Sequence, residues 1–90
     1  MDACVAKYAI DIKPSARTEL EKLTDNLIAR LMPKIEGLAT QPRPAGCRKL
    51  RGYRDLWRIR IGNYRVVYII HDERKIVSVT RIAHRKDVYE

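Results

Sequence analysis

The chain has 90 residues, of which 46% are hydrophobic and 33% charged, with only four glycines and four prolines. This length allows one domain spanning residues 1–90 around a single modest core, and the composition excludes a disordered or fibrous chain. The net charge is +8, and +7 of it falls within residues 43–65, which carry eight basic side chains and one acid. Such a block attracts polyanions through phosphate contacts and counterion release, and a solvated basic face without a ligand is the alternative.

Several classes of protein are disfavoured by what the sequence lacks. Two cysteines, Cys4 and Cys47, make no disulfide framework, which fits a reducing cytosol. No apolar run is long enough for a signal peptide or a membrane span, and the basic residues do not follow one face of an amphipathic helix. His71 and His84 are too far apart in sequence to indicate a metal site with Cys47. We therefore expect a cytoplasmic protein without a metal, a cofactor or a membrane partner.

The first half of the chain predicts one strand and two helices. Apolar residues and β-formers predict a strand over residues 4–12. Apolar spacing at i, i+4 and i+7 predicts a helix over 14–23, which begins with a proline at its first position. A second helix follows over 25–38, where the carboxylate of Asp25 can cap the first turn. Pro33 lies inside this helix, so the helix either kinks or splits there.

The second half predicts consecutive strands. A connector rich in turn residues, 40–46, leads into segments with β-branching and alternation. We predict strands over 56–61, 64–70 and 75–83, the first two joined by a Gly-Asn turn. The order β-α-α-β-β-β indicates a small α+β domain with a mostly antiparallel sheet and the two N-terminal helices packed on one face.

Arginines occupy alternate positions in the first of these hairpin strands. Side chains alternate along a strand, so Arg58 and Arg60 share one face while the apolar residues Trp57, Ile59 and Ile61 share the other. The apolar face can meet the helices, which leaves a basic face open. Arg65 begins the next strand just across the turn. We expect these three arginines to converge on one polyanion.

Two segments carry a resemblance to a known family. The runs KLRGYRDLWRIRIGNYRVVY, residues 49–68, and RIAHRKDVYE, residues 81–90, resemble the RelE-type toxins of the RelE/ParE toxin–antitoxin superfamily. The predicted element order and the length match as well, so the resemblance covers essentially the whole chain. It implies a metal-independent endoribonuclease, without a cofactor, that enters the ribosomal A site and arrests translation by cutting mRNA. It also implies a cognate RelB-like antitoxin in a hetero-oligomeric complex, with the ribosome and mRNA as the other partners.

The resemblance assigns roles to individual residues. In the family, a ribose 2′-OH attacks the adjacent phosphate, and the products are a 2′,3′-cyclic phosphate and a 5′-OH. Arg58 and Arg60 match the basic residues beside the scissile phosphate, and Arg65 matches the arginine assigned to transition-state stabilisation. Arg85 matches the arginine that serves the leaving group. Tyr89 matches the C-terminal tyrosine that stacks on or orients a base of the mRNA.

The sequence departs from the family at the general base. The best-known members have lysine where this chain has Arg58 and Arg60, and one of those lysines is the proposed base. A guanidinium is always protonated in proteins, so it cannot take the proton of the 2′-OH. We predict that His84 is the base because imidazole titrates near neutrality. The alternative is that no residue acts as a base and that the cations together with ribosomal RNA promote the reaction.

The basic residues ahead of the hairpin are predicted to position the protein rather than to react. They would hold ribosomal RNA or an acidic partner, and they are Arg48, Lys49, Arg51 and Arg54.

Two further functions share the fold. A ParE-like inhibitor of DNA gyrase would not need these clustered arginines, and a degenerate homologue would bind RNA or the ribosome without cutting.

Overall fold

The computed structural model describes residues 7–50 and 56–84. Within these residues there are seven elements: β1 (Ala9–Ile12), α1 (Pro14–Glu21), α2 (Asp25–Gly37), β2 (Arg48–Lys49), β3 (Leu56–Ile61), β4 (Tyr64–His71) and β5 (Ile76–His84). The predicted α+β class and the order of the long elements are confirmed. The short strand β2 was not predicted, because two residues are too few to show a periodic pattern.

Both helices begin where the sequence provides a suitable first residue. Pro14 opens α1, where its missing N–H costs no hydrogen bond. The N-cap of α2 is Thr24, whose hydroxyl accepts a hydrogen bond from the backbone N–H of Leu27 at 3.3 Å. The prediction that Asp25 caps this helix is therefore wrong by one residue. The helix runs through Pro33 as one element. Within the described residues, neither helix has the length and apolar character needed to cross a bilayer.

The five strands form one sheet in the order β1-β5-β4-β3-β2. Neighbouring strands are antiparallel except for β1, which pairs in parallel with β5. This crossover places the N-terminal strand at one edge of the sheet and lets both helices cover the same face. The turn between β3 and β4 has Gly62 at φ +61°, a conformation that favours glycine at the first position of a two-residue hairpin turn.

One hydrophobic core lies between the helices and the sheet. The helices contribute Ala16, Leu31, Ile35 and, just beyond α2, Leu38, all 1% exposed or less. The sheet contributes alternate residues of its central strands, namely Ile59, Val66, Tyr68, Ile70, Val77, Val79 and Ile82. The even-numbered residues of β4 therefore face the helices, and its odd-numbered residues face away from them.

A β-bulge in β5 changes which residues of that strand face the core. Val67 pairs with Arg81 and Tyr68 pairs with Val79, so Thr80 is the extra residue. The Thr80 hydroxyl donates to the carbonyl oxygen of Val67 at 3.1 Å, and the Thr80 carbonyl accepts from Ser15 of α1 at 2.8 Å. Odd-numbered residues face the core before the bulge, and even-numbered residues face it afterwards. The bulge therefore decides the orientation of the last residues of β5.

Candidate functional site

The sheet face opposite the helices carries arginines from four strands, and we call this surface the basic face. Pairing places Arg48 opposite Arg58, Arg58 opposite Val67 and Val67 opposite Arg81. The neighbouring row begins with Arg60, continues with Arg65 and ends at Ala83. Residues directly opposite each other in a sheet share a face. The structure thus brings together Arg58, Arg60 and Arg65, as predicted, and adds Arg48 and Arg81.

The basic face is not uniformly open, and the expectation of an open face is wrong for Arg58. Arg58 exposes only 4% of its surface, whereas Arg60 is exposed and Arg65 is half-buried. The Nε atoms of Arg58 and Arg65 are both shielded from water. A charged group is rarely buried without a local reason, because burial costs hydration energy. Arg58 therefore belongs to the supporting structure of the face, and Arg60 and Arg65 are its accessible cations.

The accessible pair lies at the tip of the β3–β4 hairpin. Arg60 and Arg65 are directly opposite each other, and both line a cavity of about 300 Å³ together with Gly62, Asn63 and Tyr64. No carboxylate lines this cavity among the residues that the structure describes. Like charges placed opposite each other on a sheet destabilise it. An anion bound between the two guanidinium groups would offset this repulsion.

His84 lies at the same end of the sheet but on the other face. It pairs with Tyr64, and the two rings meet edge to face, with centroids 5.3 Å apart and planes at 83°. Tyr64 packs against the core, so His84 is on the face that the helices cover. The structure therefore does not bring His84 onto the basic face with Arg60 and Arg65.

Five predicted site residues remain. One of them lies on the other face of the sheet, and four lie outside the described residues. Lys49 pairs with Trp57, which packs against the core, so Lys49 is not on the basic face. The predictions that concern Arg51, Arg54, Arg85 and Tyr89 lie outside the described residues. Trp57 is a core-packing residue, as its position on the apolar face predicted.

A polar cluster holds the connector that leads into the basic face. The guanidinium of Arg43 donates to the two carboxylate oxygens of Asp72 at 2.9 and 3.4 Å, and the Tyr8 hydroxyl donates to the same carboxylate at 2.7 Å. Arg43 also lies over the Trp57 ring, 5.1 Å from its centroid. The Tyr68 hydroxyl donates to the carbonyl oxygen of Pro42 at 2.7 Å. These contacts fix the connector, and so the position of β2.

The same cluster shifts the pKa values of its members. The hydrogen bonds from Arg43 and then from Tyr8 hold the pKa of Asp72 below its ordinary value, and the hydrogen bond to Asp72 raises the pKa of Arg43. The hydrogen bond to Asp72 also raises the pKa of the Tyr8 hydroxyl. Burial is the main cause that raises the pKa of Tyr68. All of these groups therefore keep their usual charge at neutral pH.

Comparison with known proteins identifies the class of fold. The E. coli RelE toxin, in the structure of the intact RelBE toxin–antitoxin complex, superposes with a TM-score of 0.75 at 31% identity, over 86% of this chain and 95% of that one. The archaeal RelE–RelB complex from Pyrococcus horikoshii gives 0.79 at 25% identity, over 91% and 99%. Toxin RelG of Mycobacterium tuberculosis is 31% identical over 83 residues, which cover 91% of this chain and 95% of the relative.

The family model for the ParE toxin of type II toxin–antitoxin systems matches residues 10–89. The chain therefore belongs to this toxin family, and it is a RelE-family member of it, since its relatives and structural neighbours are RelE toxins. The resemblance stated from the sequence is confirmed.

Proposed function

We propose that the chain is the toxin of a type II module that cleaves mRNA in the ribosomal A site. The observation that carries this proposal is the pair of arginines at the hairpin tip, placed directly opposite each other in a cavity of about 300 Å³. An RNA phosphate suits this cavity because it offers oxygens to both guanidinium groups and neutralises their repulsion.

The proposed reaction is attack by a ribose 2′-OH on the adjacent phosphorus. The bond between O2′ and phosphorus forms while the bond between phosphorus and O5′ breaks, which leaves a 2′,3′-cyclic phosphate and a 5′-OH. Negative charge accumulates on the non-bridging oxygens in the transition state. Arg65, with Arg60 opposite it, would stabilise that charge, since oriented donors at a developing oxyanion provide a large part of catalysis. Arg85 would stabilise the negative charge that develops on the leaving O5′, which would take its proton from water, and Tyr89 would stack on a base.

The proton of the 2′-OH needs an acceptor, and His84 remains our proposed base. Its ring lies beside Tyr64 at the end of the sheet. The 2′-OH lies next to the phosphorus that it attacks, so His84 would accept its proton only if the scissile phosphate lies at the hairpin tip, within reach of both faces. In the alternative, no side chain accepts the proton, and positioning by the cations and ribosomal RNA accounts for the rate.

The other basic residues would bind rather than react. Arg48 contributes to the basic face through its pairing with Arg58, and Lys49, Arg51 and Arg54 would contact ribosomal RNA. Phosphate contacts of this kind fix the register of a complex and give it a steep salt dependence.

The proposal includes a RelB-like antitoxin in a hetero-oligomeric complex. The structural neighbours include RelE toxins in complexes with RelB antitoxins. We propose that the partner of this chain carries an acidic or amphipathic segment that covers the basic face. Expression of the chain alone should arrest growth, and expression of the gene beside it should relieve the arrest. Growth unaffected by the chain alone would contradict the toxin function.

Single-turnover cleavage on programmed ribosomes tests the enzymatic proposal. The parent should cut bound mRNA, and Arg65→Ala should bind the ribosome equally well but cut more slowly.

The ParE description of the family model keeps inhibition of DNA gyrase as the second candidate. Loss of supercoiling by purified gyrase without any cut mRNA would favour that function. Ribosome binding without either effect would indicate a degenerate homologue.

A further inference from the structure

An exposed arginine of α2 lies against the hairpin turn from the side of the helices. The Nη2 atom of Arg30 is 3.1 Å from the point that a Cβ atom of Gly62 would occupy, and its Cζ atom is 3.7 Å from that point. The guanidinium thus lies directly over a turn residue that has no side chain. A Cβ atom at Gly62 would require the guanidinium to shift by a few tenths of an ångström.

Arg30 is not neutralised by a carboxylate within the described part of the chain. The ion pairs there involve other cations, and Arg30 takes part in none of them. No role was predicted for Arg30 from the sequence. An ion pair within residues 7–50 and 56–84 therefore does not account for the position of Arg30 next to the turn.

Two cavities meet at the hairpin tip and share two lining residues. Asn63 and Tyr64 line both the cavity of Arg60 and Arg65 and a smaller one of about 60 Å³. Arg30 lines the smaller cavity, with Leu27, Leu31 and Ile61 completing it. Neither cavity is lined by an acidic residue that the structure describes. The turn is therefore flanked by Arg60 and Arg65 on one side and by Arg30 on the other.

We propose that Arg30 binds a phosphate of the RNA strand adjacent to the phosphate held by Arg60 and Arg65. This inference rests on the proposed function and extends its binding site across the hairpin turn. A strand that follows these cations passes Tyr64, whose ring contacts His84. The path would thus bring the RNA to the face on which His84 lies. Arg30 is a binding and positioning residue here, not a group that reacts.

The first test measures binding of a single-stranded RNA that carries 2′-O-methyl groups and cannot be cut. Arg30→Ala should weaken binding about 5- to 20-fold and lower the slope of log affinity against log salt by about 0.7, the value for one phosphate contact on a single strand. Arg30→Lys keeps the charge and should keep that slope. Arg17→Ala removes an exposed arginine of α1 and should behave as the parent.

The second test neutralises one phosphate at a time. Programmed ribosomes would carry mRNA with a 2′-O-methyl group at the cleavage position and one methylphosphonate linkage on either side of it. One of the two neutral linkages should weaken binding of the parent and have no further effect on Arg30→Ala. Neutral linkages that weaken both proteins equally would contradict a direct contact.

The outcomes separate this inference from the proposed function. A parent that binds RNA in an Arg30-dependent way but never cuts would overturn the ribonuclease and leave the Arg30 contact standing. An Arg30→Ala protein that matches the parent in affinity and salt slope would overturn the contact, as would a parent that binds no RNA. Loss of binding to polyglutamate without loss of RNA binding would assign Arg30 to an acidic protein partner instead.

Discussion

Arg60 should lower the free energy of unfolding of the protein when no RNA is bound. Its replacement by glutamine should therefore make the fold more stable while impairing function. Arg60 lies directly opposite Arg65 in the β3–β4 ladder, so their side chains share one face of the sheet. Two unit charges about 6 Å apart in water repel by about 0.7 kcal/mol. Screening at physiological salt reduces this by roughly half, because the Debye length is about 8 Å. Arg60→Gln should therefore stabilise the protein by about 0.3–0.7 kcal/mol.

The assay is thermal unfolding at low and high salt. For a domain of this size, the unscreened gain of about 0.7 kcal/mol corresponds to a rise in Tm of about 3–6 °C at low salt. High salt should remove the gain, since the charges are then screened. Arg81→Gln is the matched control, because Arg81 is also an exposed strand arginine but forms an ion pair with Glu19 at 3.2 Å. This control should be destabilised.

Cleavage completes the comparison. Arg60→Gln should cut programmed mRNA at least about tenfold more slowly than the parent, because one of two cations at the phosphate is missing. A variant that is both more stable and slower identifies a charge retained for binding and catalysis rather than for folding. If Arg60→Gln lowers Tm as much as Arg81→Gln does, the argument from paired like charges is wrong.

Four further outcomes follow from the same structure. Arg65→Ala should lower the single-turnover rate about 10²-fold or more with ribosome binding nearly unchanged, and equal rates would remove the catalytic role. His84→Gln should cost about 10²–10⁴-fold and flatten the pH–rate profile near neutrality, whereas an unchanged profile would favour the mechanism without a side-chain base. Arg48→Ala should weaken ribosome association and its salt dependence with little effect on the rate once bound, and a slower rate at saturation would contradict this. Asp72→Asn should lower Tm at neutral pH, and the difference in Tm from the parent should shrink below about pH 4. The reason is that a carboxyl whose folded pKa is depressed loses its stabilising effect as pH falls through that pKa. A difference in Tm that stays constant down to about pH 3 would be inconsistent with the Asp72 hydrogen bonds.

The order of the long elements could be predicted because each has a strong local signal. Alternation in residues 56–61 and the Gly-Asn turn identified the hairpin and the shared face of Arg58 and Arg60. The same signal could not give the burial of Arg58, since exposure depends on what the rest of the chain places over the sheet. The strand Arg48–Lys49 exists through its pairing with β3 rather than through its own sequence.

The orientation of His84 shows where strand periodicity stops being informative. Strict alternation from Val77 and Val79 would put His84 on the face away from the helices. The bulge at Thr80 reverses the alternation, so His84 meets Tyr64 on the helix-covered face instead. A bulge of one residue cannot be recognised from amino-acid composition. The hydrogen bonds of Thr80 are made to residues distant in sequence, so local patterns do not reveal them either.

The contacts that join distant segments were also beyond local reasoning. Arg43 and Asp72 are 29 residues apart, and each on its own is typical of a solvated turn residue. Arg30 likewise looks like an ordinary polar residue on the exposed face of α2. Its place over Gly62 follows only from the packing of that helix against the hairpin.

Primer extension on a reporter mRNA, after induction of the chain in cells, tests the central claim most directly. Cleavage in the ribosomal A site predicts new 5′ ends within the translated region, in phase with the codons, that disappear when the start codon is mutated. Arg65→Ala, expressed at the same level, should give few or none of them. Growth arrest with intact reporter mRNA, or cuts that ignore the reading frame and persist without translation, would contradict ribosome-dependent cleavage.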